Sequence, residues 1–303
     1  MKNKIIFSIL TLTLCLLNII YVSAETQSEA QSELQSEPQS DPLTSEEAFF
    51  KRETAEVPIV MYHLVTKNSR LLGKWGITPD ELESDLKYLK DNGYQTIFME
   101  DVIDFVHNGK RLPDKPIILT FDDGNSSDHR YLYPLLQEYD MKAVVSVLGK
   151  FVDDCTVLAS KQEGPRYYPN LTWEQAKEMG QSPYIELQSH SYNLHGGSGS
   201  TQKKGESVET YHKRLKDDLT KMQERIKEMA DAEPNTFTYP YGMISENSQA
   251  VLEEMGFKAS LSCRNGMNIL EEDNPECLFR LKRQDRPSGV HISTILREIE
   301  KSK

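Results

Sequence analysis

PIILTFDDGN, residues 116–125, is a near-continuous apolar run that stops abruptly at two adjacent carboxylates, Asp122 and Asp123, and a glycine. A run without polar alternation is the pattern of a parallel strand covered on both faces. Two neighbouring acids at the end of such a strand repel each other, so other groups must converge there to hold them. Gly124 supplies the backbone freedom to turn both acids towards one place.

The same texture recurs along the chain. PIVMY (58–62), AVVSVL (143–148), YIELQS (184–189), TFTYP (236–240), KASLS (258–262) and FRLKR (279–283) read as further strands, about seven in all. Helices separate them. Thr78-Pro79-Asp80-Glu81 offers an N-cap, a proline at the first helical position and a capping-box acid. Leu82, Leu86 and Leu89 follow on one face and Gly93 closes the helix. Val208, Tyr211, Leu215, Leu219, Met222, Ile226 and Met229 form a longer stripe at helical spacing, a packing face. Repeated strand–helix alternation predicts an α/β fold, either a (β/α) barrel or a doubly wound sheet. Gly196-Gly197 and Gly199 lack a phosphate-loop lysine and read as loop.

Outside that region the composition changes. Lys2 and Lys4 precede an apolar run from Ile5 to Val22, and Val22-Ser23-Ala24 has the small residues of a cleavage site, so residues 1–24 read as a signal peptide. Ser8, Thr11, Thr13 and Asn18 weaken the run as a permanent span, and an uncleaved anchor is the alternative. Leu14 before Cys15 is too bulky for a usual lipoprotein site. Residues 25–56 open with ETQSEAQSELQSEPQSDP, a Gln-Ser-acid repeat that buries too little to order itself and reads as a disordered spacer. A formal charge of −12 excludes nucleic acid as a partner. Any membrane contact is expected only through an uncleaved N-terminal segment, and the protein is expected to be a monomer. Without Cys15 three cysteines remain, Cys155, Cys263 and Cys277, too few and too unevenly spaced for a disulfide framework or a zinc motif. A Cys263–Cys277 bridge stays open.

In both candidate architectures reactive groups collect at the C-terminal ends of the strands. Three segments place polar residues there: Asp122-Asp123-Gly124, SHSYNLH (189–195) and YPYG (239–242). Asp123, His190 and His195 are one carboxylate and two imidazoles, a donor set suited to Zn²⁺ with positions left for water and substrate. A cation there would offset one carboxylate, leave Asp122 ionised as a base and acidify a water. His190 and His195 are five residues apart. On a helix that spacing turns through roughly 140°, so a shared ion requires a bent loop, for which Asn193 is suited. Each feature alone has an ordinary explanation: a turn, a polar loop, or a hydrogen-bonded core histidine in the case of His63. Their coincidence at strand ends favours chemistry.

PIVMYH, TFDDG, SHSYNLH and YPYG together resemble the NodB-homology polysaccharide deacetylases, carbohydrate esterase family 4, from about Val57 to near the C-terminus. The resemblance implies a distorted (β/α) barrel over residues 57–303. It also implies a divalent metal, typically zinc, and removal of N-acetyl groups from a sugar polymer. It makes Asp122 the general base, and Asp123, His190 and His195 the metal ligands. Tyr241 and Gly242 become groove wall, with the Tyr241 backbone N–H at the oxyanion site.

Three departures from the family pattern stand out. Histidines five apart, rather than four, look more like the biofilm poly-N-acetylglucosamine deacetylase branch. Phe237-Thr238-Tyr239 lacks the arginine that usually supports the base, so Arg280 or Arg283 is the candidate substitute. The late Leu-x-His acid is missing; His291 in SGVHIS fits poorly, and His63 is the alternative acid or substrate ligand.

The expected protein is an exported metal-dependent N-deacetylase of peptidoglycan or poly-N-acetylglucosamine, secreted or held at the cell surface. A carbohydrate-binding relative with little turnover, and an acetylxylan esterase, are the alternatives. A two-metal phosphoesterase lacks the extra ligands it would need.

Overall fold

The computed structural model describes residues 53–161 and 169–303. The expected signal peptide, Cys15 and nearly all of the spacer fall outside the described residues.

Seven strands run parallel along one continuous path of a curled sheet: β1 (Ile59–Tyr62), β2 (Pro116–Asp123), β3 (Ala143–Val147), β4 (Ile185–Ser189), β5 (Thr236–Thr238), β6 (Ala259–Leu261) and β7 (Gln284–Asp285). A short eighth, Gln95–Thr96, pairs off that path with the start of β2. The spatial order of the seven is β6-β5-β4-β3-β2-β1-β7. β2 lies inside the sheet; it pairs Phe121 with Tyr62 of β1 and Asp122 with Ser146 of β3. The distorted (β/α) barrel that the family resemblance implied, one of the two architectures the strand–helix alternation left open, is therefore present.

FRLKR does not form the expected strand. Arg280 takes a left-handed conformation (φ 61°), and Leu281 makes a single parallel bridge to Leu261 of β6. Only then does β7 begin, pairing with Val60 and Met61 of β1. Residues 281–285 thus touch both edges of the sheet and close the barrel, carrying Arg283 across the gap. A second difference lies at the start of the domain. Thr54–Val57 forms a strand antiparallel to Asn268–Glu271, so the last residues of the expected 25–56 spacer belong to the fold.

Strand alternation divides the core. Leu119 and Phe121 of β2 pack outwards with Val60, Tyr62, Val145 and Val147 against the surrounding helices. Ile118 faces the barrel interior with Ile59, Val144, Ala259 and Leu261. There it meets Met99, Val102 and Val106 of the helix Met99–Asn108, which fills one end of the barrel. Above that plug the interior turns polar, with buried Thr120, Asp122, Ser146, Thr238, Ser262 and Arg283. Those residues lie towards the C-terminal ends of the strands.

The outer helices form as read. Pro79–Asp91 starts with the Thr78–Glu81 capping box, Thr78 Oγ1 accepting from Glu81 N (3.1 Å) and Glu81 Oε2 from Thr78 N (2.8 Å). The stripe helix spans Val208–Ala230 and buries Tyr211, Leu215, Leu219, Met222 and Ile226. Cys155, Cys263 and Cys277 are free thiols, so the open Cys263–Cys277 bridge is not made.

Candidate active site

Period-two alternation alone would send Asp122 inwards with Thr120, and Asp123 to the opposite face. The chain defeats that at Asp123, which adopts φ 75°, followed by Gly124 at φ 62°. A side chain at Gly124 would also meet Val147 Cγ1 at 2.8 Å, so glycine is required by space as well as by conformation. Both carboxylates thereby stay at the mouth of the barrel.

Asp122 is buried and its two oxygens accept a forked pair of hydrogen bonds from Arg283, Oδ1 from Nη1 (2.8 Å) and Oδ2 from Nη2 (2.9 Å). Arg283 is itself fully buried and anchored, donating from Nε to the Ser262 carbonyl (2.8 Å) and from Nη1 to Thr120 Oγ1 (3.2 Å). Burial alone would raise the Asp122 carboxyl, but the Arg283 guanidinium outweighs it and holds the group well below the usual carboxylate range. Arg280 does not take this role. Its left-handed backbone turns it away, and its buried Nε has no hydrogen-bond partner.

Asp123, His190 and His195 come together. Asp123 Oδ1 lies 3.5 Å from His190 Nε2 and 3.3 Å from His195 Nε2. One ligand atom from each of the three falls within 4.8 Å of the others. His190 Nδ1 sits 2.8 Å from the Thr238 carbonyl and His195 Nδ1 sits 3.0 Å from the Tyr241 hydroxyl. With Nδ1–H donating in both rings, each Nε2 presents its lone pair to a common point, the usual outer support of a metal-binding histidine. Asp123 Oδ1 is buried and has no hydrogen-bond partner. An orphaned carboxylate oxygen facing two free imidazole nitrogens fits a divalent cation.

The loop between the histidines bends as their spacing demands, but the left-handed residue is Ser191 (φ 83°) rather than Asn193. His63 follows β1 with Nε2 3.9 Å from Asp122 Oδ2. Burial lowers its pKa, and the Asp122 and Asp123 charges offset this only in part. Tyr241 is 56% exposed beside His195, with a left-handed backbone (φ 58°). Gly242 packs closely; a Cβ there would lie 2.7 Å from that of Cys263. His291 caps the C-terminal helix, its Nδ1 accepting from Ser293 N (3.2 Å), and its ring lies edge-on to Tyr88. Those partners are peripheral to the acid pair, so His291 does not join the cluster.

Two exposed aromatics that the strand and motif patterns did not single out flank it. Trp75 lies 4.6 Å from the His63 ring, centroid to centroid, and Phe151 lies 6.5 Å from His195. Both sit in loops or at a helix start, where no periodicity marks them.

A polysaccharide deacetylase family model matches residues 109–260, half of the chain. The chain belongs to the polysaccharide deacetylase family. The matched segment contains both carboxylates, both histidines and YPYG, whereas His63 and Arg283 lie outside it. Among curated relatives of the chain, a poly-β-1,6-N-acetyl-D-glucosamine N-deacetylase of Escherichia coli is 29% identical over 61% of the chain. That alignment spans only 30% of the relative's own length. The Bacillus subtilis protein YxkH, named as a polysaccharide deacetylase, is 29% identical over 72% of the chain and 69% of its own. A de-N-acetylase of Aggregatibacter actinomycetemcomitans superposes with a TM-score of 0.67 over 80% of this chain and 99% of that one, at 24% identity, a likeness of fold.

Proposed function

We propose that this protein is an exported, metal-dependent hydrolase that removes N-acetyl groups from an N-acetylglucosamine polymer, poly-β-1,6-N-acetylglucosamine ahead of peptidoglycan. The observation that carries it is the pairing of an ionised, arginine-held Asp122 with an adjacent Asp123–His190–His195 donor set. The name of the E. coli relative and the five-residue histidine spacing favour the substrate. Exposed Trp75 and Tyr241 on either side of the cluster offer apolar faces against which sugar rings stack. Arg283 beside Asp122 supplies the support whose absence from the third motif favoured a merely binding protein, and so speaks for turnover.

Asp123, His190 and His195 would hold the ion, zinc by its oxygen-and-two-nitrogen chemistry. When bound, it acts as a Lewis acid that polarises the acyl oxygen and acidifies water. Asp122 orients the attacking water and takes its proton; Arg283 keeps the carboxylate fully ionised at working pH, at some cost in basicity. The Tyr241 backbone N–H would hold the developing oxyanion. His63 enters uncharged at neutral pH, receives the proton from Asp122 and delivers it to the amine nitrogen as the C–N bond breaks, releasing acetate and a free amine.

Export is proposed through the N-terminal leader, with the acidic spacer holding a monomeric domain away from the membrane or wall. Protein lacking residues 1–24, loaded with zinc, should release acetate from poly-β-1,6-N-acetylglucosamine oligomers faster than from peptidoglycan or acetylxylan in parallel assays. Preference for acetylxylan would contradict the substrate reading, and no acetate from any of them would contradict the activity.

A further inference from the structure

The two histidines of the donor set sit at the ends of a six-residue segment, His190–His195, without regular secondary structure. Ser191 within it holds a left-handed conformation that costs a non-glycine residue energy. Something outside the segment must keep that shape. Asp218, on the buried-stripe helix Val208–Ala230, reaches the middle of it. Its Oδ1 accepts from Tyr192 N (2.8 Å) and its Oδ2 from Asn193 N (2.8 Å). One carboxylate thus holds two consecutive amides at the apex, charge-assisted bonds about twice as strong as neutral ones.

The other contacts grip the segment from different sides. The carbonyls of Ser191 and Tyr192 accept from Gly149 N (3.2 Å) and Lys150 N (2.9 Å), and the Tyr192 hydroxyl donates to Asp153 (3.0 Å). Leu194 N donates to Ser191 Oγ (3.0 Å). None of these supplies an acceptor to the Tyr192 and Asn193 amides. Removing Asp218 leaves both without their anionic partner, and the segment can relax its separation between the two rings.

We propose that Asp218 is a positioning residue that presets the His190–His195 separation and so sets how tightly the site holds its metal. The inference rests on the metal-binding part of the proposed function. A site whose ligands are already placed loses less freedom on binding than one that must order them.

The test is a competition titration of the apoprotein with zinc and a chromophoric chelator, together with the visible spectrum of the Co²⁺ form. Wild type should take up one equivalent. Asp218→Ala should bind zinc about 10- to 100-fold more weakly, the range for lost outer-shell support, with an altered Co²⁺ band. Asp218→Asn, which keeps one acceptor oxygen, should fall between and carries the test if Asp218→Ala does not fold. Ile299→Ala, which opens a cavity under the distant C-terminal helix, should lower stability while leaving zinc affinity and the Co²⁺ spectrum at wild-type values. Wild-type affinity in Asp218→Asn or Asp218→Ala, with an unchanged Co²⁺ band, would overturn the inference while leaving the metal site intact. A wild type that binds no zinc would instead remove the metal reading, and this inference with it.

Discussion

Arg283 holds Asp122 by both oxygens in a fully buried pair. Cutting one side of such a pair leaves an uncompensated charge, which costs about 3–5 kcal/mol. Arg283→Ala should therefore lose about that much stability in urea denaturation and most of its acetate release. It should also raise the Asp122 pKa, moving the acid limb of the pH–rate profile upwards. Arg280→Ala should keep near wild-type turnover. The choice between the two arginines was not legible in FRLKR, because strand alternation fails there: Arg280 is left-handed and Leu281 makes only an isolated bridge. The acid pair and the histidine segment were legible because each segment directly follows a strand-like run. His63 was visible for the same reason, whereas Trp75 was not. It sits in the loop just before Gly76–Ile77, whose two-residue pairing with Leu64–Val65 has no hydrophobic period of its own.

At the scale of elements, helix starts explain both what could be read and what could not. The capping box at Thr78 is local, so four residues disclosed it; Thr78→Ala should cost about 1 kcal/mol with acetate release unchanged. The helix Met99–Asn108, which plugs the barrel, starts at Phe98, whose side chain offers no cap. Its amides are met instead by Glu186 of β4, accepting from Met99 N (2.9 Å) and Glu100 N (3.0 Å) across 87 and 86 residues of sequence. No local pattern announces such a partner. Burial pushes the Glu186 carboxyl up to about 7, against the pull of those amides. A raised folded-state pKa means the folded protein binds the proton more tightly than the unfolded chain. This contribution to stability is present below the ordinary glutamate range and is lost as pH rises towards about 7. Glu186→Gln should flatten that fall, read as the difference in urea midpoints at pH 5 and pH 8.

For the whole molecule, one arrangement organises the rest: an apolar plug at one end of the barrel and a polar interior that opens at the other. The parallel-strand reading of runs such as PIILTF put the candidate residues at the strand ends, where the Asp123–His190–His195 cluster lies. The closure of the barrel by residues 281–285 was hidden, since two residues of β7 and one bridge carry too little pattern to register. A metal that binds only the folded barrel stabilises it by mass action, about 2.7 kcal/mol at a hundred times its Kd. Zinc should accordingly raise the melting temperature of the chelated protein, and Asp123→Ala should abolish that rise. The most direct measurement is acetate released from poly-β-1,6-N-acetylglucosamine oligomers by protein stripped with chelator and then titrated with zinc, beside Asp122→Asn. Release that returns and saturates at one equivalent in wild type, and stays absent in Asp122→Asn despite full zinc occupancy, is the predicted result. Release that persists in the stripped protein, or survives undiminished in Asp122→Asn, would contradict it.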